Sequence, residues 1–395
     1  MGWRPQCWRG ASPDSPRCGA SPPDTFSEEE TGMKQLRTSA LCLLLCLTLL
    51  CACAPTGKQQ GPGTTETQSV TDLVGRTVEI PKEPACICAL DPFCAPFVVA
   101  FGYGEQVKAT IPSIQRDVLI QSICPSLKEA EVVKSGGVVN AEALLSLGVD
   151  LILLDRESYD DPDSRAKLDA TGIPYLVVGN ATIDEALEAV ALVGEVLHAD
   201  EEAEQYITWY RDCLDRAETV SAAIPEEERP RLYHSVNEAV RTDYAGSLPA
   251  QWIAATGAEN VSLEGGLTME GGSAYTTLEQ IFVWDPDLII CNEVGVADYI
   301  LTDEKWKGLG AVERGDVYQM PIGLSRWGHP NSIETPLAVL WLTELLYPEE
   351  SDIDLEKETR DFYQTYFDYT ISDEELDAVL SGDGMRTPKT GGKVE

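Results

Sequence analysis

Between Thr182 and about Ala223 apolar residues recur every three or four positions: Ile183, Leu187 and Val190, then Tyr206, Ile207, Tyr210 and Leu214. That period predicts helix. Thr182 with Glu185 three residues on is a capping-box start. Ala199-Asp200-Glu201-Glu202 reads as a break and restart, so the stretch predicts two helices, the second ending near Val220. On either side, short apolar runs of strand length alternate with helical periods. Before the connector, Asp72 to Pro81 predicts a hairpin around Gly75. Cys86 to Leu90, Leu151 to Leu154 and Tyr175 to Val178 predict strands, and Phe97 to Phe101 and Val138 to Leu147 predict helices. After it, Arg231 to Ser235, Leu288 to Cys291 and Asp316 to Met320 predict strands. Leu248 to Thr256, Thr277 to Trp284, Ile333 to Leu346 and, in two pieces, Leu355 to Leu380 predict helices. Strand and helix in alternation predict mainly parallel sheets with helices on both faces.

The two sides repeat one plan. Glu142-Ala-Leu-Leu-Ser-Leu-Gly-Val-Asp150-Leu-Ile-Leu-Leu-Asp155 is echoed by Glu279-Gln-Ile-Phe-Val-Trp-Asp-Pro-Asp287-Leu-Ile-Ile-Cys-Asn292. Each has a Glu, a short apolar helix, a turn, Asp-Leu-Ile and a polar residue at the strand end. Glu142 to Glu279 and Asp150 to Asp287 span the same 137 residues (279 − 142 and 287 − 150). Two registers agreeing across a helical divider predict two similar lobes. A chain of 395 residues suits two domains.

The N-terminal part is built differently. Residues 1–32 are rich in Pro, Ser and charge and are read as a non-native or disordered extension, with Met33 as the true start. Met33-Lys-Gln-Leu-Arg37 and the apolar run Ala40 to Leu50 predict a signal peptide over 33–52. Leu50-Cys51-Ala52-Cys53 resembles a lipobox, with Cys53 the lipidated residue. The alternative is a plain secretory signal cut nearby. Acyl chains would hold the body at a bilayer, with 53–71 as a flexible tether by composition. The first lobe is expected over 72–181, the connector over 182–223 and the second lobe over 224–381. A disordered tail is expected over 382–395.

The formal charge of −37 argues against nucleic acid or an anionic membrane surface as partner. Residues 1–52 hold five basic and five acidic residues, so the remainder keeps the whole charge. Six cysteines follow Cys53 without CxxC or zinc spacing, and with three histidines a His-rich metal site is not expected. No resident cofactor is expected.

The ordered set of lipobox, tether, Asp72-Leu-Val-Gly-Arg-Thr-Val-Glu-Ile-Pro81, Glu-helix-VDLIL, connector, LEQIFVWDPDLII, DVYQMP and W-x-x-P resembles the solute-binding lipoproteins of ABC importers. Within them it resembles the group that handles ferric siderophores, haem and cobalamin, over about residues 71–370. The resemblance implies two Rossmann-like α/β lobes with mainly parallel sheets, joined by a long helix, with a ligand cleft between them. It also implies that Glu142 and Glu279 are docking carboxylates, one per lobe, for a permease dimer and its ATPase. The alternative for each is a solvent-facing helix carboxylate.

In open α/β sheets ligands lie beyond the carboxyl ends of the strands. The richest such loop is Pro321 to Pro330. There Arg326 offers planar donors to oxyanions, Trp327 a flat face for a chelate, and His329 a ligand or hydrogen-bond partner. The alternative is that Trp327 packs beneath the loop and His329 caps it. Arg156 stands at the mouth of the first lobe, or else pairs with Asp155 or Asp160. Asn237, Arg241, Tyr244, Ser247 and Tyr275 are further candidates on the second lobe; Tyr244 and Ser247 precede a helix, whose free N–H groups attract anions. His198 and His234 are read as structural.

The expected function is capture of an iron complex, a ferric siderophore or similar, by a monomer anchored on the outer side of the cytoplasmic membrane, for delivery to the permease. Haem, cobalamin or a metal oxyanion are alternatives. An extracellular hydrolase is the rival class, with no GxSxG, HExxH or P-loop motif to support it. A sensory or adhesion lipoprotein is the third.

Overall fold

The computed structural model describes residues 66–135 and 137–387. The signal, the lipidation residue Cys53 and most of the tether lie outside the described residues.

The first lobe is built on a five-stranded sheet in the order Glu131–Val132, Val107–Thr110, Ile87–Ala89, Leu151–Asp155, Tyr175–Val178, and every neighbouring pair is parallel. The second lobe has a four-stranded parallel sheet in the order Glu259–Asn260, Arg231–Ser235, Leu288–Cys291, Val317–Gln319. Central strands such as Ile87–Ala89 and Leu288–Cys291 are buried along their whole length, as strands covered on both faces must be. Hence they read as continuous apolar runs rather than alternating ones.

The repeat is visible in the hydrogen bonds. Helix Ala141–Leu147 is capped by Asn140, whose side chain accepts the Ala143 amide; helix Leu278–Trp284 is capped by Thr277 on the Gln280 amide. Both helices end on a left-handed residue, Gly148 and Asp285. Two residues later, Asp150 takes the amides of Ala85 and Cys86 on its carboxylate and gives its own amide to the Cys86 carbonyl. Asp287 does the same to the amide and carbonyl of Arg231. Each Asp thus fixes the entry of the central strand of its own lobe.

The connector is helical in two pieces, Ile183–Leu197 and Asp200–Ser221. His198, at φ 55°, ends the first, so the run is broken where a single long helix would be continuous. Thr182 caps the start, accepting the Glu185 amide, but Glu185 returns to the Ala181 amide rather than to Thr182. A Cβ on Gly194 would lie 2.6 Å from that of Ala203, so a glycine lets the two pieces touch. The second piece links the lobes: Tyr206 packs edge-on against Phe97 of the first at 4.8 Å and donates its hydroxyl to the Ile333 carbonyl of the second at 2.6 Å. One apolar cluster runs from the first lobe through the connector into the second, which resists large hinge motion.

Some bounds differ from the sequence reading. Thr67–Thr71 is a strand paired with Thr77–Pro81, so the segment expected as tether is already structured there. Val138–Val139 is a strand, and the helix after it starts at Ala141. The tail is not without structure at its beginning: Gly382 to Thr387 crosses to the first lobe, where Arg386 bridges Asp117. The six cysteines among the described residues are free.

Candidate functional site

Among the described residues, three neighbouring hollows that share lining residues lie at the carboxyl ends of the two sheets. The largest, about 490 Å³, lies over the first lobe and is lined among others by Asp91, Lys134, Asp155, Arg156, Asn180 and Glu185, with Asn331 reaching in from the second lobe. The smallest, about 30 Å³, lies at the lobe junction between Ser113, Asp117, Arg326, His329 and Arg386. The third, about 190 Å³, lies on the second lobe and is lined by Arg241, Tyr244 and Ser247 together with His329.

Strand ends supply the first hollow. Asp91 follows the strand Ile87–Ala89, is buried, and accepts the amides of Phe93 and Cys94 at 2.9 Å each. Burial pushes its carboxyl up to about 6 against those two bonds. Asp155 ends the next strand, caps the Ser158 amide, and takes Lys134 Nζ at 2.8 Å. That leaves Arg156 outside any pair with Asp155 or Asp160; it is exposed at the rim, 3.4 Å from the Leu73 carbonyl. Asn180 donates to the Pro330 carbonyl and to Asn331 Oδ1, so the hollow ends at a cross-lobe contact.

The loop Pro321 to Pro330 is held from behind. Glu334, buried, accepts the amides of Leu324 and Ser325 at 2.9 Å and the Tyr363 hydroxyl. Trp252 donates to the Gly328 carbonyl at 2.9 Å. Trp327 is fully buried in the common core and lines none of the three hollows, so it anchors the loop instead of offering a face to a ligand. This anchoring turns Arg326 and His329 into the cleft. His329 Nδ1 accepts the Asn331 amide at 3.2 Å, which puts its proton on Nε2. Burial, then the nearby arginines, hold it well below the usual histidine range, so it is a neutral donor.

Arg326 is part of a buried charge cluster. Its Nη1 donates to Glu293 Oε2 at 3.0 Å, Arg116 Nη2 reaches Glu293 Oε1 at 3.3 Å, and Arg386 pairs with Asp117. Burial, then Arg386, bring the Arg326 guanidinium down to about 9, so it is charged at neutral pH. Burial pushes Asp117 up to about 6 although Arg386 pulls it down. Among the described residues the cluster sets three guanidinium groups against two carboxylates, a local excess of positive charge in a protein of −37 overall.

The structure thus brings Arg326, His329, Arg156, Arg241, Tyr244 and Ser247 to the cleft. Ser247 caps helix Leu248–Ala255, accepting the Ala250 amide. Asn237 and Tyr275 do not line it. Asn237 sits at φ 68° with its amide on Asn292 Oδ1, and Tyr275 pairs with Arg241 through the backbone of a small antiparallel sheet. Arg116, Asp117, Glu293 and Arg386 escaped the sequence reading as site residues. Only Glu293 had a signal, its place beside Asn292 at the end of the strand Leu288–Cys291. Glu142 and Glu279 are both exposed in the first turns of their equivalent helices. Among the described residues no three His, Cys, Asp or Glu gather to hold a metal ion, and no helix is long and apolar enough to cross a membrane.

The family model for the periplasmic binding proteins matches residues 100–322. The chain belongs to the periplasmic binding protein family. It is similar to the molybdate-binding protein MolA of Haemophilus influenzae, 23% identical over 327 residues that cover 75% of this chain and 90% of MolA. The structure of MolA bound to molybdate superposes with a TM-score of 0.68, at 20% identity over 77% of this chain and 99% of that one. A periplasmic solute binding protein from Veillonella parvula gives 0.67 at 25% identity, over 80% of this chain and 97% of its own. CeuE of Helicobacter pylori with Ni(II) bound gives 0.65 at 19% identity, over 79% and 99%. This binding protein therefore has the two-lobed α/β architecture of the ABC-importer solute receptors, with mainly parallel sheets.

Proposed function

We propose that this binding protein captures an anionic metal chelate, of the ferric siderophore class, and delivers it to an ABC permease. The observation that carries the reading is the small hollow bordered by Arg326, Arg386 and His329, which shares Pro92, Ser113 and Asn331 with the neighbouring hollow of about 490 Å³. A hollow of that size suits a chelate rather than a bare oxyanion. Guanidinium groups suit carboxylate, catecholate or hydroxamate oxygens, and do so bidentately. The excess positive charge at the floor favours an anion even though the body repels one at long range. In this reading Cys53 carries the lipid anchor, Glu142 and Glu279 meet the permease, the protein acts as a monomer, and it catalyses no reaction.

A metal oxyanion is the second reading. The hollow of about 30 Å³ between Arg326, Arg386 and His329 has the size of one small ion, and MolA binds molybdate.

A thermal-shift panel of ferric citrate, a ferric tris-catecholate, a ferric tris-hydroxamate, haem, cobalamin and molybdate separates these. The chelate reading expects ferric citrate or the ferric tris-catecholate to raise Tm, and Arg326→Ala to abolish the rise. Stabilisation by molybdate alone selects the oxyanion. Stabilisation by none of the six, with an unrelated solute effective, ends both readings.

A further inference from the structure

The C-terminal segment is the least expected part of the cleft. Helix Asp373–Ser381 lies on the second lobe, where the Ile322 amide donates to the Val379 carbonyl at 3.0 Å. Gly382, at φ 70°, turns the chain off that helix. Its Cα faces the Met320 carbonyl and Gln319 Cγ so closely that a Cβ would overlap both. The chain then crosses to the first lobe. The Val118 amide donates to the Met385 carbonyl and the Thr387 amide to the Arg116 carbonyl, both at 2.9 Å, and Arg116 Nε reaches the Thr387 carbonyl at 2.8 Å. Between these bonds Arg386 points inward. It is almost wholly buried, pairs with Asp117, and lines the floor beside Arg326 and His329. Its Nε has no hydrogen-bond partner and stands 3.8 Å from Glu293 Oε1.

We propose that the segment Gly382–Thr387 is a strap that completes the ligand site, delivering Arg386 from the chain terminus as a ligand contact beside Arg326 and His329. The charge balance gives the reason. Without Arg386 the described cluster is neutral, with Arg116 and Arg326 against Asp117 and Glu293. Arg386 supplies the excess positive charge that an anionic ligand needs, and its unpartnered Nε is a donor already at the floor. The strap also joins a first-lobe loop to the end of a second-lobe strand, so a bound ligand would be enclosed by three segments that approach from different directions. The inference rests on the anionic-ligand reading above.

Binding by the full chain, Arg386→Gln, Arg386→Lys and a chain ending at Ser381 would be measured by titration with ferric citrate, a ferric tris-catecholate, molybdate and a neutral ferric tris-hydroxamate. Amide hydrogen exchange at Val118 would be followed in all four proteins, and at Thr387 in the three that contain it. Arg386→Gln and the truncation should weaken the anionic probes about 10- to 100-fold, as loss of a charge-assisted contact does. The neutral probe should change little, and Arg386→Lys should recover part of the loss. Anionic binding undiminished in Arg386→Gln overturns the proposal and leaves the solute reading standing. If the full chain binds none of the probes, the anionic-ligand reading fails and Arg386 loses its role as a contact. Exchange at Val118 and Thr387 then decides the strap alone, slow exchange sustaining the crossing and free-chain rates removing it.

Discussion

Arg326 Nη1 and Glu293 Oε2 lie 3.0 Å apart, both side chains almost wholly buried, and the other oxygen of that carboxylate takes Arg116 at 3.3 Å. Arg326 stands on the second lobe and Arg116 on the first, so one carboxylate ties a cation from each side of the cleft. Removing its charge leaves three guanidinium groups facing Asp117 alone. Glu293→Gln should therefore lose about 3–5 kcal/mol of stability in urea denaturation, the range for breaking a buried ion pair. A change below about 1 kcal/mol would mean the pair is not formed in solution.

Buried carboxylic acids set the pH dependence of stability. Burial pushes Glu334 up to about 7 against the bonds from Tyr363, Leu324 and Ser325. Its ordinary value is 4.5, so between these two values the folded protein holds a proton that the unfolded chain has released. Stability then falls as pH rises from about 4.5 to 7 and is regained on acidification. Asp91 and Asp117, both pushed up to about 6, act in the same direction. Unfolding free energy measured from pH 5 to 8 should fall with pH, and Glu334→Gln should remove about one proton's worth of that slope. An unchanged slope in the variant would assign it to other groups.

The paired strand clamps should act independently. Asp150→Ala frees two amides on the first lobe, and Asp287→Ala frees one on the second. Each should reduce stability by about 0.5–2 kcal/mol, Asp150 more because it holds two amides where Asp287 holds one. They share no partner, so the double variant should equal the sum within about 0.5 kcal/mol. Marked non-additivity would show that the lobes do not hold their strands separately.

Charge reversal tests the permease contact. Glu142→Lys and Glu279→Lys change exposed side chains outside the three hollows, so affinity for a bound ferric chelate should stay within twofold. Uptake by cells should drop at least tenfold. Uptake at the unaltered rate would remove both residues from the docking surface.

Much of the scaffold was readable because it depends on local chemistry. The run Leu151 to Leu154 and its echo Leu288 to Cys291 are apolar at every position since both faces of a parallel strand are covered. The equal spacing of Glu142 to Glu279 and Asp150 to Asp287 marked a repeat that the hydrogen bonds reproduce. The break near Ala199 showed as the restart at Ala199-Asp200-Glu201-Glu202. The site was less readable. Arg326 and His329 drew notice as polar residues in a loop after a strand, whereas Trp327 in the same loop turned inward. No local pattern says which way a loop residue faces when a neighbour such as Glu334 anchors the loop from behind.

By itself the sequence determined the class of the molecule: two repeated α/β halves, a helical divider with one interruption, and an acidic body. The helices and strands follow from periodicity between residues close in the chain, the repeat from one spacing found twice, and the acidity from composition. Only the tertiary structure decided the cleft. Arg116, Glu293, Arg326 and Arg386 lie far apart in sequence, and a tail segment of ordinary polar composition supplies one of the buried cations. Their meeting depends on how two sheets, a broken connector and a chain terminus pack together. Burial and charge pairing at that junction are long-range properties with no local signature.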